Sequence, residues 1–132
     1  MDADMNSTMS FYAGKGLHAV TIQAFFLGKD MLVSVTGGSS PHIGATALAS
    51  PCAVSAGIRA YASVLSAPGH RDDIAAHQMA LRLCKILGCT VCMTVGMHID
   101  NASSEDIDIL LGNADAAMEK LISSIKEQRY GS

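Results

Sequence analysis

The sequence predicts a single α/β domain of the α+β two-layer type, a mostly antiparallel five-stranded sheet with two helices on one face. Three observations predict it. The chain has 132 residues, enough for one domain with a real core. Segments between residues 18 and 65 alternate apolar and polar residues, and after residue 72 the apolar period becomes helical for most of the chain. Gly, Pro, Asp and Asn punctuate the runs where turns are needed. The element order that follows is β-β-β-β-α-β-α.

Residues 1–16 are rich in Met, Ser and Asp with weak periodicity. They read as a loose N-terminal arm or an edge element, ahead of a single domain over residues 17–128. His18, Val20, Ile22, Ala24 and Phe26 share one face of a first strand. Gly28-Lys29-Asp30 turns the chain, and Met31 to Thr36 returns to complete a β-hairpin. After the loop Gly37-Gly38-Ser39-Ser40-Pro41, Ile43 to Ala49 is a third strand, stopped by Ser50-Pro51. Ile58 to Leu65 is a fourth, with Ile58, Ala60, Ala62 and Val64 opposite Arg59, Tyr61, Ser63 and Leu65.

Ala76, Met79, Ala80, Leu83 and Leu87 then form a helical stripe from about Asp72 to Leu87. Asp72 and Asp73 suit the positive end of the helix dipole, and Gly88 suits its C-terminal cap. Cys89 to Met97 is apolar enough for a central strand. His98 to Ser104 turns into a last helix ending near Gln128. Its stripe is Ile107, Leu110, Leu111, Ala114, Met118, Leu121, Ile122 and Ile125, and Ser103-Ser104-Glu105-Asp106 offers a capping box.

Composition narrows the function classes. Net charge is −3 and no Lys/Arg cluster appears, which argues against nucleic-acid binding. Aromatics are 5% with no Trp, so a base-stacking platform is not expected. No apolar run is long enough to span a membrane. The start Met1-Asp2-Ala3-Asp4 lacks signal-peptide character; a cytoplasmic protein is expected. With 49% hydrophobic and 16% charged residues, some apolar surface is expected to meet a partner or a homo-oligomer. Cys89 and Cys92 have half a zinc spacing, but on a strand positions i and i+3 face opposite sides. They read as buried small hydrophobes.

Three histidine turns are the most function-like features: Pro41-His42-Ile43-Gly44, Pro68-Gly69-His70-Arg71-Asp72-Asp73 and His98-Ile99-Asp100-Asn101. All fall at element ends. If the fourth and fifth strands are parallel across the intervening helix, His70 and His98 emerge at one sheet edge. His42 joins them if the third strand is antiparallel to the fourth. The Gly37-Gly38-Ser39-Ser40 loop could aim backbone N–H groups at an anion, and Gly44 permits close approach. His70-Arg71-Asp72-Asp73 opens a helix whose free N–H groups attract phosphate, and Arg71 could add a bidentate contact. Blander readings stand beside these. A Gly-Gly-Ser-Ser loop is most often only a turn, Asp72 and Asp73 are ordinary first-turn residues, and Asp100, Asn101 and Ser103 suit helix entry. His18 reads as structural and His77 as a helix-flank residue. A metal held by His42, His70 and His98 with Asp72 or Asp100 has no dense ligand spacing behind it. Nothing singles out a nucleophile.

The segments Gly37 to Gly44, Ser63 to Asp73 and Gly96 to Asn101 together resemble the motifs of the LpdD-like proteins, small companions of the gallate decarboxylase system. The resemblance spans roughly Leu17 to Lys126. It implies a chaperone for reduced prenylated flavin mononucleotide (prenylated FMN) that loads a UbiD-type decarboxylase, a binding protein rather than an enzyme. Carrying its motifs over residue by residue puts Gly37, Gly38, Ser39, Pro41, His42, Gly44, His70, Arg71, Asp72, His98, Asp100 and Asn101 around the cofactor; a metal ion is possible but unsupported, and no metal ligand is assigned. Small residues Ala45, Ala47, Ala60 and Ala62 would leave room for the flavin ring beside the sheet. Two rivals remain: a small metal-dependent enzyme using His42, His70 and His98, and an assembly subunit of a decarboxylase.

Overall fold

The structure, a computed structural model, describes residues 7–54, 57–69 and 71–130. Six strands form one sheet: β1 (Met9–Ala13), β2 (Val20–Leu27), β3 (Asp30–Gly38), β4 (Ala45–Val54), β5 (Gly57–Ser66) and β6 (Val91–His98). Helix α1 (Asp73–Leu87) joins β5 to β6, and α2 (Ser104–Tyr130) ends the fold. The sheet order is β1-β2-β3-β6-β4-β5. Every neighbouring pair is antiparallel except β3 and β6, which are parallel.

The expected architecture holds with two corrections. The sheet has six strands, not five, because Met9–Ala13 pairs along β2 from Met9↔Ala24 to Ala13↔Val20. This segment takes the edge-element reading rather than the loose-arm one. Its five residues are too few to show a clear period, while pairing to β2 satisfies its backbone on one side. The second correction concerns Ser50-Pro51, which does not end β4. The β4–β6 ladder stops at Ala49↔Val91, whereas β4–β5 pairing continues to Val54↔Gly57. Proline lacks an N–H to donate, so it is tolerated where one flank has no ladder partner.

One face of the sheet is the core. Val20, Ile22, Ala24, Met31, Val33, Val35, Ala45, Ala47, Ala49, Val91, Met93 and Val95 are all buried on it. Helix α2 covers β1 to β3 and α1 covers β4, β5 and β6. The alanines of β4 and β5 let α1 approach closely. Ala45 and Ala47 are buried under that helix, and Ala60 and Ala62 pack against the same core. The space they save holds α1, so the expectation of a flavin wall at these alanines is overturned. On α2 the buried stripe is Leu110, Ala114, Ala117, Met118, Leu121, Ile122 and Ile125, while Ile107 and Leu111 lie outside it.

Local signals explain the ends. Gly28 has φ 63 in the two-residue loop between β2 and β3, where hairpin geometry asks for a positive φ. Gly88 caps α1 in the left-handed region, its N–H donating to Cys84 O at 2.8 Å. At the start of α2 the capping box is present: Asp106 N–H donates to Ser103 Oγ and Ser103 N–H to Asp106 Oδ2, both at 3.0 Å. Cys89 is buried and Cys92 lies on the opposite face of β6, half-buried, so the two sulfurs diverge as expected.

Candidate functional site

The strand directions decide which turns meet. β3, β5 and β6 run the same way, so Gly38, Ser66 and His98 end at one edge of the sheet. β2 and β4 start there, and so do α1 and α2. The edge therefore gathers the loop 39–44, the turn 67–72 and the turn His98–Ser103. This is the gathering that the positions of the three turns implied. His70 lies outside the described residues.

The Ser39–Gly44 strap is laid across the end of β6. Gly44 N–H donates to Val95 O at 2.9 Å and Ser39 N–H to His98 O at 2.8 Å. A Cβ at Gly96 would overlap the backbone carbonyl of His42, and one at Gly44 would overlap the Asp72 carboxylate. Both glycines allow a contact closer than any side chain permits. Gly38, at φ 81, likewise has no room for a Cβ beside the His98 carbonyl.

Asp72 is the hub. It is 8% exposed and is the buried charged residue of the described chain. It sits at the N-cap position of α1, yet its carboxylate does not cap that helix. It turns inward, where Oδ1 accepts Met97 N–H at 3.2 Å and Oδ2 lies 3.3 Å from His42 Nε2. His42 Nδ1 donates to Ser40 O at 2.8 Å, since a carbonyl can only accept. With Nδ1–H committed there, the approach of Nε2 to the carboxylate is attractive when Nε2 also carries a proton. The His42 ring stands edge-on to that of His98, centroids 6.3 Å apart. His98 Nε2 pairs with Asp100 Oδ1 at 2.9 Å in the open. Asn101 has φ 55, a conformation Asn tolerates, and it turns the chain toward α2. Arg71 is exposed beside the start of α1.

One expectation fails here. The glycine loop does not hold out a set of N–H groups to an anion. Gly38 N–H donates to Ala19 O at 3.3 Å and Ser39 N–H to His98 O, so strand pairing consumes them. Gly37 lies within β3, between Val20 and Met97. Two contributors were missed, Gly96 and the backbone of Met97. The signal for Gly96 was present: an isolated glycine inside a strand pattern marks a close backbone approach. Among the described residues no group of three or more His, Cys, Asp and Glu is placed to hold a metal ion.

His18, at the rim of the same edge, ties the 3-10 turn Gly16–His18 to α2 through Asp106, 2.8 Å away. Asp106 is held below the ordinary carboxylate range, chiefly by the Ser103 N–H and then by His18. A carboxyl whose value is lowered on folding stabilises the fold above its unfolded value, and that stabilisation is lost as pH falls through the lowered one. Urea midpoints should therefore fall as the solution is acidified through that range, and Asp106→Asn should flatten this part of the profile.

The chain is similar to known proteins in sequence and in fold. The protein LpdD of Lactiplantibacillus plantarum is 27% identical over 99 residues, 74% of this chain and 70% of its own. A chain of a chaperone complex for yeast 20S proteasome assembly, known from its crystal structure, superposes with a TM-score of 0.59. That superposition covers 92% of this chain and 96% of the other at 16% identity, which is a likeness of fold. The sequence pattern of the prenylated flavin chaperone LpdD-like domain matches residues 14–126. The chain belongs to the LpdD-like family of prenylated flavin chaperones.

Proposed function

We propose that this edge of the sheet binds reduced prenylated FMN without transforming it and delivers it to a UbiD-type decarboxylase in the cytoplasm. The observation that carries the reading is the convergence of independently positioned turns, with the His42 and His98 rings 6.3 Å apart beside the start of α1. The roles divide by exposure. His98, Asp100, Asn101 and Arg71 are exposed and touch the cargo; His70, outside the described residues, is assigned to it by its motif alone. Arg71 and the first-turn N–H groups of α1 take the phosphate. Asp72 faces inward and fixes the ring of His42. Gly37, Gly38, Ser39, Pro41 and Gly44 shape the strap rather than ligate.

The openness of the edge suits a carrier, which must release its cargo as readily as it takes it up. Ile43, Ile74 and Ile107 are exposed at this end of the fold and offer apolar contact to a prenylated ring or to the receiving enzyme. Anaerobic titration of the protein with reduced prenylated FMN should give a stoichiometric complex. His98→Ala should weaken it about tenfold with an unchanged melting curve. Folded protein that takes up no cofactor refutes the cargo, and a decarboxylase that gains no activity from the loaded protein refutes the delivery.

A further inference from the structure

The two margins of the sheet differ. The margin at β1 is guarded: that strand has five residues, α2 packs against it, and Lys120 Nζ donates to Tyr12 O. The margin at β5 is not. β5 runs ten residues without a proline, and its one charge is Arg59, near the start. Long margins of so little charge are uncommon, because they pair readily with another extended chain.

The ladder fixes which groups face outward. Ala67 N–H donates to Gly44 O at 2.7 Å, continuing the register that runs from Val54↔Gly57 to Ala45↔Ser66. Opposed residues of an antiparallel pair alternate between hydrogen-bonded and non-hydrogen-bonded. Odd-numbered residues of β5 therefore turn their backbone groups to β4, while Ala60, Ala62 and Val64 turn theirs outward. The same alternation points Pro51 away from β5, as its missing N–H requires. Among the described residues β5 has no second strand beside it, so these N–H and C=O groups form an open edge.

The flank of α1 turns that edge into a groove. Lys85 joins Arg59, Ala60 and Tyr61 around a hollow of about 440 Å3. Ile74, His77 and Leu81 precede Lys85 at helical spacing on the same flank. The groove runs from the hollow to the histidine edge, where β5 ends and α1 begins. It is basic at the hollow, whose lining holds two cations and no acid. Farther along it is apolar, with Leu81 half-buried and Ile74 exposed.

We infer that β5 takes up an extended segment of a partner protein as a seventh strand, with an acidic residue of that segment held between Arg59 and Lys85. Main-chain hydrogen bonds to Ala60, Ala62 and Val64 supply the affinity, and the two cations select the acid. A small anion would use the hollow alone, whereas ten residues of open edge suit a polypeptide. A partner bound in this way is anchored beside the turn that leads into α1. The inference holds whether or not the histidine edge carries a flavin.

The probe is a blocked octapeptide that alternates valine and threonine between a glutamate at each end, so that an acid reaches the hollow whichever way the strand runs. Titrated into the isotope-labelled full chain, it should shift the amide resonances of Ala60, Ala62 and Val64 and slow their hydrogen exchange. The double variant Arg59→Glu/Lys85→Glu should bind it about tenfold more weakly and should prefer the same peptide with lysine ends. Ala62→Pro removes one outward N–H at a margin where proline is tolerated, and should abolish binding while the melting curve changes little. If Ala62→Pro does not fold, the exchange of charges decides. A wild type whose β5 amides ignore the peptide overturns the proposal, and so does binding indifferent to the exchange of charges. Protection of the same amides without peptide, rising with protein concentration, assigns the edge to a second copy and overturns it as well.

Discussion

Gly96→Ala should destabilise the protein by about 3 kcal/mol, at the upper end for an added methyl group in a packed interior. The new Cβ would overlap the His42 carbonyl and crowd its Cα, so the obstacle is main chain. Relief requires moving the strap off β6, which gives up the Gly44 to Val95 hydrogen bond. For a domain of this length the melting temperature should fall by roughly 10 °C. Gly112→Ala is the control. Gly112 lies on exposed α2 with nothing near its missing Cβ, so alanine there should stabilise by about 1 kcal/mol. Urea denaturation of both variants checks the pair. Equal losses would show that the strap is not packed on β6.

Asp72→Ala should cost about 2–3 kcal/mol, because it removes two contacts of a buried carboxylate at once. Met97 N–H loses its acceptor, His42 loses its neighbour, and α1 loses its tether to the end of β6. Asp72→Asn separates the two effects. Its amide oxygen still accepts from Met97, while the charge facing His42 is gone, so the loss should be about 1 kcal/mol. Hydrogen exchange at the Met97 amide reads the difference: protection drops in the alanine variant and persists in the asparagine one. Equal exchange in both would remove Asp72 from its place as hub.

These two residues also show what could be read from the sequence. Elements from β2 onward were legible because they carry their own period, as with Val20, Ile22, Ala24 and Phe26, or Ala76, Met79, Ala80 and Leu83, or, for β6, a continuous apolar run. β1 was not, since five residues at an edge hold no decisive pattern. Pro51 misled because its tolerance depends on which neighbour β4 has at that point. The placement of the histidine turns at element ends was legible; their meeting hung on strand directions that only the sheet supplies, and it supplies them for the turns of His42 and His98. The inward turn of Asp72, and the use of the Gly38 and Ser39 N–H groups in pairing, were not legible. Both depend on β6 lying between β3 and β4, a tertiary fact that no local window contains.

That strand order also bears on how the chain is made. β3 and β4 are consecutive in sequence, yet neither completes its ladder until β6, more than fifty residues after the end of β3, arrives between them. On the ribosome, β1 to β3 and the β4–β5 pair are two separate ribbons, each with an unpaired inner margin. Closure by so distant a segment is slow by the standards of small domains and leaves those margins prone to wrong pairing. The strap of His42 rests on Gly96 of that same late strand, so the histidine edge assembles last. A nascent or truncated chain lacking β6 would have no finished edge, and any binding at the histidine turns would have to await completion of the sheet.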